Sequence, residues 1–142
     1  MKKILLSLVA VAALTFASCD AKKEVLDAKT LNGAWNVVEL NGASITPSEE
    51  TPYLDLNFQD NRLAGSGGCN RLMGQIVTSD SIKSDISFPN TATTMMACPN
   101  MDKETEFLKA LSSVKSVETM KDGKVGFVGA DNKVLFVVAK RN

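Results

Sequence analysis

The sequence contains no histidine. That absence removes imidazole general acid/base work, the Ser/His/Asp and Cys/His nucleophile arrangements, and any zinc site that needs imidazole. Aromatic residues make up only 6%, with one Trp, one Tyr and six Phe. Aliphatic side chains must therefore fill most of a core, which predicts a solid interior without a large aromatic-walled cavity. Neither sign of charge dominates, since sixteen Lys and Arg balance sixteen Asp and Glu. No basic field exists to hold a nucleic-acid backbone, so nucleic acid is not an expected partner. The carboxylates are scattered, which argues against a calcium loop and against a catalytic carboxylate pair. An apolar run of about 20 residues, the length of a permanent membrane span, is also missing. What remains is 142 residues of ordinary globular composition, 44% hydrophobic and 23% charged, enough for one domain.

The N-terminus carries the clearest local pattern. Met1-Lys2-Lys3 precedes thirteen uncharged residues, Ile4 to Phe16, then Ala17, Ser18 and Cys19, which is the order of a secretory signal. Phe16-Ala17-Ser18-Cys19 resembles the bacterial lipobox, in which a cysteine after small residues is diacylated and becomes the first residue of the mature chain. Phe16 departs from the usual aliphatic residue. Residues 1–18 are thus read as a lipoprotein signal peptide and Cys19 as the lipidation site, against the alternative of an ordinary signal that leaves a stray cysteine. The expected address is the bacterial cell envelope, with the membrane engaged through the N-terminal lipid, at the outer membrane or facing the periplasm. Loss of Lys2 and Lys3 leaves fourteen basic and sixteen acidic residues, a formal charge of −2. Residues 19–30, rich in Lys and Asp/Glu, read as a solvated tether, with the folded unit at residues 31–142.

From Leu31 onward the pattern is mostly of period two. Leu54, Leu56 and Phe58 alternate with polar neighbours between Tyr53 and Gln59, which predicts a half-buried strand. Ala34 to Leu40 reads as another strand, followed by the Asn41-Gly42 turn signal. Near the C-terminus, Asp122-Gly123 and Ala130-Asp131-Asn132 separate the apolar runs Val117–Met120, Val125–Val128 and Val134–Ala139, which predicts two hairpins. Helical spacing appears only at Glu104, Phe107, Leu108, Leu111 and Val114, after Pro99 and Asn100. The predicted fold is mostly β with one α-helix: a small antiparallel, barrel-like meander whose closure hides the strand edges, with the helix packed against it.

The most distinctive residues lie mid-chain, in Gly65-Ser66-Gly67-Gly68-Cys69-Asn70-Arg71 and Thr93-Thr94-Met95-Met96-Ala97-Cys98. Together with Leu31-Asn32-Gly33-Ala34-Trp35, Asn41-Gly42 and Glu106-Phe107-Leu108, they resemble the META domain family, which includes HslJ-like heat-shock lipoproteins. Gly68, Cys69 and Asn70, with Thr94, Met96, Ala97 and Cys98, carry the motif pair. The resemblance covers about Leu31 to Lys140. It implies a small, mostly antiparallel barrel with one helix, found in envelope or secreted proteins, linked to stress or drug tolerance, and without an established enzymatic activity.

Several residues suggest chemistry and have plainer readings. Gly65 to Gly68 lacks the Lys and the following helix of a phosphate-binding loop, so the glycines are read as allowing a strand bend. Ser112-Ser113-Val114-Lys115 matches the S-x-x-K spacing of a serine nucleophile and its base, but a solvated helix end is the favoured reading. Met95 and Met96 beside Cys98 could act as soft copper ligands. Core filling is preferred, and neither metal nor cofactor is expected. Asp80-Ser81-Ile82 resembles an acidic-hydroxyl-apolar O-glycosylation sequon of Gram-negative envelopes. No N-x-[ST] sequon occurs.

Once Cys19 is acylated, Cys69 and Cys98 are the two remaining cysteines. An oxidising envelope favours a disulfide between them; two separate buried thiols acting as small hydrophobes remain the other reading. Two functional classes survive. One is a non-catalytic, lipid-anchored module that supports envelope integrity or stress tolerance by contacting another envelope protein. The other is a periplasmic barrel that binds a small ligand.

Overall fold

Alternating burial sets the strands. In β3 (Tyr53–Asn57), Leu54 and Leu56 are buried while Asp55 is exposed. In β4 (Arg62–Ser66), Leu63 and Gly65 are buried while Arg62 and Ala64 face solvent. The structure is a computed structural model that describes residues 26–142. The signal-like segment 1–18, Cys19 and the first part of the expected tether lie outside the described residues.

The remaining strands are β1 (Gly33–Leu40), β2 (Ala43–Ser44), β5 (Arg71–Gln75), β6 (Val77–Thr78), β7 (Ile86–Ser87), β8 (Ala92–Thr93), β9 (Ser116–Thr119), β10 (Val125–Val128) and β11 (Val134–Lys140). One antiparallel sheet runs β8-β5-β4-β3-β1-β11-β10-β9, with β2 paired to β1 and β6–β7 forming a separate ribbon. The Asn41-Gly42 turn joins Leu40 to Ala43 directly, but the strand it opens is only the two-residue β2. The neighbour of β1 in the sheet is instead β3, paired Gly33↔Leu56 to Asn36↔Tyr53. In β1, Trp35, Val37 and Leu40 point to the core. A register shift between Val37 and Glu39 against β11 moves the inward set from odd to even positions. Both C-terminal hairpins form as the turns predict, β9 with β10 and β10 with β11.

The sheet does not close. Its end strands, β8 and β9, have no ladder between them, because the chain between Pro89 and Pro99 supplies only two ladder residues before it turns into the helix. The β6–β7 ribbon lies beside β9, with Ile86 N–H donating to Lys115 O at 3.0 Å.

Helix α2 (Met101–Ser112) buries Glu104, Phe107, Ala110 and Leu111 and leaves Lys109 exposed. Phe107 meets Phe136 edge-on at 5.3 Å, and Phe136 stacks on Phe127 at 4.7 Å. These rings and the inward Leu, Ile and Val residues fill one continuous core.

A short helix that the periodicity does not reveal, α1 (Ala28–Leu31), precedes β1. Asp27 and Thr30 cap it reciprocally, with Thr30 N–H donating to Asp27 Oδ1 at 2.7 Å and Asp27 N–H to Thr30 Oγ1 at 2.9 Å. Leu26 and Leu31 are both buried, and Trp35 Nε1 donates to Leu31 O at 2.8 Å. Packing therefore begins at Leu26, within the stretch read as tether. A pair of apolar residues beside a capping box outweighs the charged composition around them.

Candidate functional site

The two motif segments meet around one carboxylate. Glu104 sits in the first turn of α2 with 3% of its surface exposed. Its Oε2 accepts from Cys69 N at 2.9 Å and from Asn70 N at 2.7 Å, and its Oε1 accepts from Asn70 Nδ2 at 2.6 Å. Burial disfavours the charge. The Asn70 side chain and the N–H groups of Asn70 and Cys69 outweigh that penalty and hold the carboxyl below its ordinary value of 4.5. The positive end of the helix dipole lies beside it.

Asn70, 2% exposed, spends its whole amide in this node. Oδ1 accepts from Thr94 Oγ1 at 2.8 Å and from Met96 N at 2.7 Å; Nδ2 donates to Met96 O at 3.2 Å as well as to Glu104. Thr94 Oγ1 in turn accepts from Arg71 N at 3.1 Å. By taking both the N–H and the C=O of Met96, the Asn70 carboxamide substitutes for a paired strand and continues β8 past its last ladder residue. No buried side-chain nitrogen or oxygen lacks a partner among the described residues.

The glycines are explained by what touches them. A Cβ on Gly67 would stand 2.7 Å from Glu104 Cγ and 2.9 Å from its Oε2, so only glycine lets the carboxylate reach the turn. Gly65 lies directly against the Tyr53 carbonyl. The structure pairs the Cys69 and Cys98 sulfurs as a disulfide with Cα atoms 6.2 Å apart, a spacing that such bridges span. Cys69 thereby joins the loop leading into α2 to the turn that Glu104 grips.

The arrangement holds an anion in place with three donors, two on Oε2 and one on Oε1. Among the described residues, no group of three His, Cys, Asp or Glu side chains is placed to hold a metal. The hydroxyls of Ser112 and Ser113 donate to Lys109 O at 2.8 and 2.9 Å, which is helix-end bonding. Asp80 and Ser81 are exposed and Ile82 is buried. Met95 and Met96 are not core residues: their side chains are 97% and 54% exposed, because the Asn70 amide fixes this backbone at the sheet edge. A surface groove of about 320 Å³ borders Leu40, Ile45, Pro52, Gly67, the disulfide and Glu104, outside the filled core.

The motif names Gly68, Cys69, Asn70, Thr94, Met96, Ala97 and Cys98; the structure joins Cys69, Asn70, Thr94, Met96 and Cys98 through hydrogen bonds and the disulfide, while Gly68 supplies a positive φ in the turn and Ala97 is exposed. Sequence reasoning missed Glu104, which was counted only as a position on the helix face. The available signal was a charged residue on the buried stripe of an amphipathic helix, three positions before Phe107.

Fold and site define a small antiparallel β-domain whose single long helix is pinned to a glycine-rich turn by a buried carboxylate and a disulfide. A family model of the META domain matches residues 28–142, and the chain belongs to the META domain family. No curated protein matches it. Among solved structures, one determined by NMR shares 18% identity with a TM-score of 0.61, covering 80% of this chain and 94% of that one. An NMR structure of a protein from Burkholderia xenovorans shares 22% identity with a TM-score of 0.59, covering 87% and 97%. A crystal structure of a DUF4847 family protein from Bacteroides vulgatus shares 14% identity with a TM-score of 0.57, covering 78% and 93%. At these identities the likeness speaks for the fold alone.

Proposed function

We propose that this META domain protein is anchored by lipid in the bacterial cell envelope. There it serves, without catalysis, as a stress-related or envelope-integrity module that works by contacting another envelope protein. The observation that carries the contact reading is the display of Met95 and Met96. The backbone of Met96 is held by Asn70, while the side chains of Met95 and Met96 stand in solvent, 97% and 54% exposed. A fixed backbone that presents adaptable apolar side chains suits a protein-contact surface. The hydrogen bonds that tie Glu104 and Asn70 to each other and to Cys69, Thr94 and Met96 support a structural use of those residues. The anchor rests on the placement of Cys19 after the signal-like segment.

The test is a photo-crosslinking residue introduced at Met95 in the full-length protein in cells, with the same residue at exposed Lys121 as the control. A discrete adduct with an envelope protein from position 95 and none from position 121 supports the reading. Identical patterns from both positions sink it.

The groove of about 320 Å³ beside the disulfide favours a second reading, a small-ligand site. It lies between the loop after β2 and α2, not in the interior of the sheet. Ligand-detected NMR with small amphipathic compounds, repeated after Ile45→Glu, tests it. Binding that survives Ile45→Glu excludes this groove as the site.

A further inference from the structure

We infer that the open edge of β8 takes up an extended polypeptide segment of the partner, added as a further strand in the seam between β8 and α2. The segment carries apolar side chains and a carboxylate. The inference rests on the protein-contact reading above and names the chemistry of that partner.

The backbone supplies the first observation. Ladder pairing sets Leu72 against Thr93 and Met73 against Ala92, and Thr94 N–H donates to Arg71 O at 3.0 Å. Hydrogen-bonding direction alternates along a strand, so the N–H and C=O of Thr93 point away from β5. Asn70 continues the alternation by taking the N–H and C=O of Met96, which turns those of Met95 outward as well. Among the described residues, no backbone hydrogen bond joins Met95 or Ala97 to another element.

The second observation is that, among the described residues, no charge, proline or covering element guards this edge beyond the shortness of its ladder. Ala92 to Ala97 are all exposed, and the run contains no charged residue, no proline and no glycine. Edge strands are ordinarily protected by shortness, charges, prolines, bulges or a covering element, because a bare edge templates pairing with another chain; β8 relies on its shortness. Here the polar node of Asn70 and Thr94 holds the edge extended instead of blunting it.

The third observation is the shape beside it. A groove of about 490 Å³ runs next to Thr93 and is lined also by Phe88, Thr91 and the α2 residues Leu108 and Ser112. Among the described residues, Lys115 is the one charged residue lining it. A strand added about 4.8 Å from β8 sends alternate side chains toward the Phe88–Leu108 floor and the others outward. The Lys115 ammonium then selects an acidic side chain or a C-terminal carboxylate. Main-chain bonds supply the hold and the groove supplies the choice, as in other domains that bind a peptide by extending a sheet.

The experiment uses the isotope-labelled full-length protein in detergent and three hexapeptides of alternating Val and Thr, acetylated at the N-terminus and amidated at the C-terminus so that the last side chain alone sets the charge. One ends in Glu, one ends in Lys, and one is the Glu peptide N-methylated at alternate amides. The Glu peptide is expected to shift the amide resonances of Thr93 and Met95. The Lys-ended and N-methylated peptides are expected to bind at least about tenfold more weakly, and Lys115→Glu is expected to reverse the preference between the Glu and Lys ends. Equal binding of the N-methylated peptide, or absence of shifts at Thr93 and Met95 at millimolar peptide, overturns the inference. Failure of the peptides alongside a retained crosslink from position 95 overturns strand addition alone and leaves the protein-contact reading standing.

Discussion

Asn70 Nδ2 lies 2.6 Å from Glu104 Oε1 although thirty-four positions separate the two residues. This bond and its two companions from the Cys69 and Asn70 amides join the glycine-rich turn to the first turn of α2. Removing the carboxylate leaves the N–H groups of Cys69 and Asn70 without an acceptor and Asn70 Nδ2 with Met96 O alone. Glu104→Ala is expected to lose roughly 3 kcal/mol of stability, read by urea denaturation. A loss within about 0.5 kcal/mol, the usual range for an unconstrained surface site, would show that the node does not hold the helix.

The helix face is tested by a pair of truncations. Leu111 is 1% exposed while Lys109 faces solvent. Leu111→Ala is expected to cost roughly 2 to 5 kcal/mol and Lys109→Ala close to nothing, by the same denaturation. Equal losses would contradict the packing of α2.

The β-architecture was legible because burial and alternation are one signal: Leu54 and Leu56, or Trp35 and Val37, declare their face by spacing alone. The stripe Phe107, Leu111 and Val114 placed the helix in the same way. Residues whose role depends on a distant partner were not legible. Glu104 reads as a lone acid until Asn70 is folded against it, and Met95 and Met96 read as core until the Asn70 amide fixes them at an edge. Closure of the barrel was over-read, since alternation marks strands but does not count how many ladder residues β8 retains between Pro89 and Pro99. Leu26 was lost to the charged composition around it, although the Asp27-x-x-Thr30 spacing was a usable start signal.

The disulfide predicts a specific mass. Alkylation of the natively isolated protein without reductant is expected to leave Cys69 and Cys98 unmodified. Replacing both by Ser is expected to cost about 3.6 kcal/mol, the chain-entropy value for a separation of 29 residues. Two alkylated thiols in the native protein would contradict the bridge.

The anchor predicts fractionation. Cys19→Ser is expected to move the protein from membranes to the soluble fraction and to remove the acyl mass. A variant that pellets like the wild type, with no mass difference beyond the substitution, would rule out lipidation at Cys19.

The most direct test of the buried node is the titration of the Glu104 side-chain carboxyl, followed by carbon-13 NMR in the folded protein. Its three donors favour the charged form, so the midpoint is expected below the ordinary value of 4.5. The sign for stability follows from that depression: the contribution of Glu104 is fully present above 4.5, and it is lost as pH falls through the lower folded-state value. Glu104→Gln should therefore flatten the acid side of the stability profile. A midpoint at or above 4.5 would mean that burial outweighs the hydrogen bonds and that the carboxylate is not what joins the two motif segments.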